Sequence, residues 1–280
     1  MRAARAATGK VDFTGVQSTM LVTLFLRAVD AEAPHPVLPD RYAAEAVARI
    51  DHDWGRLDRR SSRSARYSVV LRASQLDDWT GEFLRRTPDA TVLQLGCGLD
   101  TRAFRLAPPA GVRWYDLDLP DVIALRRRLY QDSDRYRMIA SSVTDESWLD
   151  QIPTDRPVLV VAEGLLMYPA EADVRRLLRR ITDRFGSGQL LFDGAAHWMV
   201  TTTRLLKRVL GRRYPYPPFR TGIRDGAELA RWDPALRCRD RVATMDLYDR
   251  IPDAAVRLTY RAGTWIGWYR NAFQLFQADF

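Results

Sequence analysis

Three acids and two glycines in the middle of the chain carry the strongest chemical signal. The run Val92-Leu93-Gln94-Leu95-Gly96-Cys97-Gly98-Leu99-Asp100-Thr101 reads as a buried strand passing through Gly-x-Gly into a helix. Glycine lets the backbone turn tightly and approach a ligand, while a helix N-terminus offers unpaired N–H groups. Such a turn also arises for packing reasons alone, so its setting decides. Asp118 lies twenty residues beyond Gly98 and closes the next strand-like run. A carboxylate at that place and spacing accepts hydrogen bonds from the two hydroxyls of a ribose. Glu163 directly follows the apolar run Val158-Leu159-Val160-Val161 and its Ala162. The C-terminal ends of such strands are where open α/β sheets bind ligands.

The kind of nucleoside follows from charge. A dinucleotide fingerprint wants a third glycine where this chain has Thr101, and Asp100 puts a negative charge where a pyrophosphate has to sit. In a partly desolvated site that juxtaposition is repulsive. S-adenosylmethionine carries no phosphate but an ammonium and a sulfonium, so the pattern favours it over NAD.

The elements that must position these residues are legible as rhythm. The first ninety residues read as helical: about Val16 to Ala31, stopped by the Pro34/Pro36/Pro39 cluster; about Asp40, a plausible N-cap, to Ile50; and roughly Ser64 to Arg86. After Pro88 short apolar runs alternate with amphipathic stretches. Thr91–Leu95, Val112–Leu117, Arg137–Ala140, Pro157–Ala162 and Gln189–Phe192 are expected as strands. Thr101–Leu106, Pro120–Tyr130, Glu146–Asp150, Ala170–Phe185 and His197–Leu210 are expected as helices. Strands alternating with helices mean a mostly parallel, doubly wound α/β sheet. Leu236–Ala243 and Val256–Ala262 are expected as antiparallel C-terminal edge strands after the proline-rich turn Tyr214–Pro218. One domain, residues 1–280, is expected: a helical N-terminal lid over 1–88 and an α/β cofactor-binding core over 89–280.

Composition narrows the class. The chain has 280 residues, 46% of them hydrophobic and 28% charged, both near globular averages. Its net charge is +8, and all but two of the 43 basic residues are arginine, the lysines being Lys10 and Lys207. A basic chain invites a nucleic-acid reading. Here, however, arginines are spread along the whole chain among acids, and even Arg126-Arg127-Arg128 suits an ordinary helix. No nucleic-acid or membrane partner is expected. Cys97 and Cys238 lack disulfide or zinc spacing, which suits a reducing cytoplasm and a site without metal. Arg2 and Arg5 precede the apolar run Met20–Leu26, which is too short for a membrane span. With Lys10 and Asp12 before it, it also has the wrong order for a secretory signal, so it reads as a first helix.

With these residues assembled, the chain resembles the class I S-adenosylmethionine-dependent methyltransferases of the leucine carboxyl methyltransferase family, in particular its bacterial polyketide O-methyltransferase branch. Four motifs in order carry the similarity: Leu95-Gly96-Cys97-Gly98-Leu99-Asp100-Thr101-Arg102, Asp116-Leu117-Asp118-Leu119-Pro120, Ser142-Val143-Thr144-Asp145 with Trp148-Leu149, and Ala162-Glu163-Gly164-Leu165-Leu166-Met167-Tyr168. Arg27-Ala28, Asp40-Arg41-Tyr42-Ala43 and Arg72 fit upstream. The resemblance implies a Rossmann-like methyltransferase fold with S-adenosyl-L-methionine as cofactor. It implies that Arg72 pairs with the carboxylate of the methionine part, Gly96 and Gly98 pass beneath it, and Asp118 binds the ribose. Ser142 and Val143 flank the adenine, Glu163 meets the ammonium, and Arg27 and Tyr168 lie near the methyl-transfer point. Members that act on proteins often carry an acid where Ser142 stands, so the adenine contact departs from that pattern.

The expected activity is O-methyl transfer to a carboxylate or hydroxyl of a small, aromatic or polyketide-type natural product. A relative that rearranges or cyclises its substrate in the same pocket, and a methyltransferase of protein C-terminal carboxylates, stay open as alternatives. A carboxylate is ionised at neutral pH and needs only orientation, whereas a phenol with a pKa of about 10 gains from a base. Of His35, His52 and His197, only His197 follows a strand end, and it is the candidate base. Packing at the start of its helix is the competing role. Trp198 and Met199 are candidates for an apolar pocket wall. Oligomeric state is left open.

Overall fold

The run Thr91–Leu95 forms strand β1, and all five of its residues are buried. Burial on both faces is what a central parallel strand requires, and β1 has a parallel neighbour on each side. The computed structural model describes residues 17–60, 62–214 and 216–280. Among them, β1 joins β2 (Arg113–Asp118), β3 (Tyr136–Ala140), β4 (Val158–Ala162), β5 (Gly188–Ala195), β6 (Arg237–Ala243) and β7 (Phe273–Asp279) in one sheet. The strand order is β3-β2-β1-β4-β5-β7-β6. Strands β1 to β5 run parallel, and β7 lies antiparallel between β5 and β6. The winding therefore reverses between β1 and β4, which opens a crevice beyond their C-terminal ends.

Helices cover both faces. The first four are α1 (Gln17–Ala31), α2 (Arg41–Arg49), α3 (Trp54–Arg60) and α4 (Arg63–Arg86). Next come α5 (Arg102–Arg105), α6 (Pro120–Leu129), α7 (Glu171–Arg184) and α8 (His197–Leu210), then α9 (Gly226–Trp232), α10 (Ala254–Gly263) and α11 (Gly267–Arg270). Val174, Leu177, Leu178 and Ile181 recur at helical spacing along α7 and enter the same core as Leu93, Val160 and Leu190. On the opposite face, Val70, Leu71, Leu76, Trp79 and Phe83 of α4 join Val92, Leu159 and Leu191. A smaller core joins Met20, Leu21 and Leu24 of α1 to Ala43 and Ala46 of α2 and to Val122, Leu125 and Leu129 of α6. Each of its fully buried leucines is worth about 1.5–3 kcal/mol, which ties α1 and α2 to the rim of the sheet.

The doubly wound, mostly parallel sheet with antiparallel C-terminal strands agrees with expectation, and two elements near the C-terminus do not. The segment Val256–Ala262 is helical, within α10, and the second antiparallel strand is β7. Asp253 accepts hydrogen bonds from the N–H groups of Ala255 and Val256 and so starts a helix. Tyr260 then packs inward while Leu258 faces solvent, so the alternating apolar run does not behave as a strand. The antiparallel strand β7 hides its polar members by pairing: Gln277 donates to Gln189, and Gln274 accepts from Arg241. The expected helix Glu146–Asp150 is reduced to a single 3-10 turn at Leu149–Gln151. Strand β5 runs on past Phe192 to Ala195. Lys10 and Asp12 lie outside the described residues. No helix among the described residues is long and apolar enough to cross a membrane.

Candidate active site

The turn after β1 is built on left-handed backbone. Gly96 has φ of +60° and Gly98 of +49°, a region that costs other residues about 1–2 kcal/mol. A Cβ on Gly96 would also stand 2.9 Å from Cδ1 of Leu165. The Gly98 N–H donates to Oδ2 of Asp118 at 2.7 Å, and the Leu119 N–H donates to Oδ1 at 2.7 Å. Asp118 is thus aimed across the turn from the end of β2. Burial pushes its carboxyl above the ordinary range, in spite of both N–H groups.

Behind the turn lies a buried cluster of charges. Glu163 Oε1 accepts from Arg72 Nε at 3.0 Å and Oε2 from Arg102 Nη2 at 2.6 Å. Arg72 Nη1 donates to Asp193 Oδ2 at 2.9 Å, and the other oxygen of Asp193 takes the Gly164 N–H at 2.5 Å. Asp100 pairs with Arg27 at 2.8 Å, with Arg102 at 3.0 Å and with Arg105. Asp77 binds Arg102 and Arg105, and Asp40 lies 3.5 Å from Arg105. Burial works against the charges on Asp100 and Glu163, yet the arginines beside them outweigh it and hold both carboxyls below their ordinary range. For Asp193 burial prevails over Arg72 and raises the carboxyl. Four guanidiniums here face five carboxylates, so the cluster favours one further cation.

These groups open onto a cavity of about 700 Å³ beyond the C-terminal ends of β1, β2 and β4. Its wall contains Arg27, Arg72, Gly96, Gly98, Asp118, Ser142, Val143, Glu163 and Tyr168, nine residues that the sequence singles out from six separate stretches. Ser142 shares a 2.8 Å hydrogen bond with the Thr144 hydroxyl. Burial raises the Tyr168 phenol, which meets the side chain of Thr19. Arg72 is no solvated helix-face arginine; its side chain is 18% exposed and bridges two carboxylates. Arg27 spends Nη1 on Asp100 and Nη2 on the Leu99 carbonyl.

His197 is not brought to this cavity. Its Nε2 lies 2.9 Å from Oε1 of Glu228, and its side chain is 48% exposed. The Glu228 carboxylate, fixed by the Arg224 N–H, anchors the imidazole at the start of α8. Trp198 and Met199 stay outside the wall formed by the described residues, and Trp198 packs on Trp268. The charge argument on Asp100 also needs correction. Three guanidiniums neutralise that carboxylate, so the repulsion of a phosphate falls to the carboxylate excess of the whole cluster. Asp193 and Arg102 were missed. Asp193 lies in the C-terminal part of β5, two residues before its end at Ala195, and the sequence reading stops that strand at Phe192. Arg102 closes the first of the four motifs, but nothing in the sequence marks it, among dozens of arginines, as the partner of Glu163.

With the geometry in hand, comparison with known proteins is decisive. The family model described as leucine carboxyl methyltransferase matches residues 20–182. The chain is 45% identical to the tetracenomycin polyketide synthesis O-methyltransferase TcmP of Streptomyces glaucescens, over 84% of this chain and 86% of that protein. The chain belongs to the leucine carboxyl methyltransferase family. As a member it is an S-adenosylmethionine-dependent methyltransferase, and it is also 38% identical to the S-adenosyl-L-methionine-dependent methyltransferase dpfgK of Gibberella zeae, with 87% of each chain covered. The fold of this family member matches the crystal structure of a candidate methyltransferase from Thermobifida fusca with a TM-score of 0.59, at 16% identity and over 95% of this chain and 96% of that one. Its carboxylate-rich floor and glycine turn fit a cofactor that is cationic and free of phosphate.

Proposed function

We propose that the chain methylates an oxygen, carboxylate or hydroxyl, of a small aromatic or polyketide-type natural product. The observation that carries this reading is the single cavity in which a carboxylate-rich floor meets a wall of Tyr168, Phe219 and Phe273. The name of the relative TcmP supports the same acceptor class. S-adenosylmethionine supplies the activated methyl group when bound.

The side chains have the following parts. Asp118 holds the ribose hydroxyls, and Ser142 and Val143 flank the adenine. Gly96 and Gly98 let the backbone pass close beneath the methionine part. Glu163 takes the ammonium as the cation its cluster lacks. Arg72 offers the carboxylate its Nη2, which has no hydrogen bond among the described residues. Arg27, spent on the turn, holds Leu99 and Asp100 in place. Tyr168, kept protonated by burial, is the hydrogen-bond donor nearest the acceptor. Helices α1 to α4 act as the lid of the same domain, with Met20 and Thr23 of α1 and Ser68 and Val69 of α4 lining the cavity. Excluding water and aligning the two reactants is where such a site gains rate.

Calorimetry with S-adenosylhomocysteine tests the cofactor pocket, and a panel of aromatic acids and phenols tests the acceptor. Binding of the nucleoside and a product heavier by one CH₂ are expected. Absence of nucleoside binding, or a product of unchanged mass, overturns the proposal.

A further inference from the structure

The cavity wall contains three arginines, and two are already engaged. Arg27 is held by Asp100 and the Leu99 carbonyl, and Arg72 by Glu163 and Asp193. The guanidinium of Arg220 has neither hydrogen bond nor ion pair among the described residues. Asp173, an acid of the same wall, lies 3.5 Å from Arg176.

The backbone beneath Arg220 is fixed. Its N–H donates to the Met167 carbonyl at 2.8 Å, and its own carbonyl accepts from Arg204 at 3.0 Å. The Thr221 hydroxyl donates to the Pro169 carbonyl at 2.8 Å. Arg220 is thereby docked on the segment Met167–Pro169, a few residues beyond Glu163. Aromatic rings stand beside it: Tyr168 meets Phe219 edge-on at 5.6 Å, and Phe219 meets Phe273 edge-on at 6.1 Å. Arg220 is exposed, whereas Gly98 to Asp100 and Glu163 are held within the fold. The floor carries excess carboxylate and so repels an anionic substituent, which leaves the mouth as the one favourable place for it.

We propose that Arg220 is a specificity residue that recognises an anionic substituent at the solvent-facing end of a planar aromatic acceptor. The guanidinium fork matches a carboxylate in two parallel hydrogen bonds, while the rings of Tyr168, Phe219 and Phe273 take the flat body of the molecule. This rests on the methyltransferase cavity assigned above and adds the chemistry that its outer half selects.

The test uses a hydroxynaphthoate and the matching neutral hydroxynaphthamide, titrated into protein saturated with S-adenosylhomocysteine. Wild type is expected to prefer the acid by about tenfold, the size of one charge-assisted contact. In Arg220→Ala the preference disappears, in Arg220→Lys part of it survives, and S-adenosylhomocysteine affinity is the same in all three proteins. Wild type that holds the nucleoside yet binds both ligands equally, or neither, overturns the proposal. So does an Arg220→Ala variant that keeps the preference. Failure of wild type to bind S-adenosylhomocysteine strikes the underlying cavity assignment instead, and this proposal falls with it.

Discussion

At the scale of single residues, Asp118 combines two tasks in one carboxylate. It fixes the turn by accepting the Gly98 and Leu119 N–H groups, and its remaining lone pairs face the cavity. Replacing a charged acceptor removes about 1.5–3 kcal/mol. Asp118→Asn is therefore expected to weaken S-adenosylhomocysteine by about ten- to a hundredfold, as read by calorimetry; unchanged affinity would refute the ribose contact. Asp100 is a structural charge with three arginines around it. Its folded carboxyl lies below its unfolded value, so the stability it confers is present above the unfolded pKa and is lost as pH falls toward the folded one. Asp100→Asn takes from Arg27 its 2.8 Å carboxylate partner and from Arg102 and Arg105 one of theirs, and should cost about 3–5 kcal/mol at neutral pH. In urea titrations that deficit should narrow below roughly pH 4, where the carboxyl of the unfolded chain begins to protonate while the folded one stays ionised. A deficit independent of pH would reject the assignment. That Asp118 and Glu163 line the cavity was legible from their place at strand ends. Which arginines neutralised the buried carboxylates was not, because partners from α1, α4 and α5 meet only after folding.

At the scale of elements, the five parallel strands could be read because each is a short, mostly apolar run, with β1 and β4 buried at every residue, a pattern that needs no knowledge of neighbours. Segment Val256–Ala262 could not, since alternation and helical spacing overlap over so short a run, and a cap from Asp253 decided between them. The turn after β1 is the element on which the cavity depends. Gly96→Ala puts a Cβ at positive φ and against Leu165. It should lower stability by about 1–2 kcal/mol and reduce S-adenosylhomocysteine affinity more than thermal stability would account for. Wild-type affinity and stability in this variant would show that the turn has room to relax.

At the scale of the whole molecule, the surplus of 43 basic over 35 acidic residues is spread between inside and outside. Arg102 and Arg126 are completely buried, Arg105 nearly so, and each is paired with carboxylates. Charge spent internally offers no stripe to a phosphate backbone. Duplex DNA is therefore expected not to bind at low salt in a fluorescence anisotropy titration. Binding that weakens steeply with added salt would contradict this.

From the residues alone came the alternation of strand and helix, the glycine turn, and the acids at the ends of β2 and β4. All three are local: a strand's burial, a glycine's freedom and a side chain's place on its strand are properties of a few consecutive positions. Tertiary structure alone decided that Arg72 bridges Glu163 and Asp193, that His197 turns to Glu228, and that Arg220 is left unpaired among the described residues at the cavity mouth. Each of those outcomes depends on which distant segments share a crevice, and one chain of letters carries no measure of that distance.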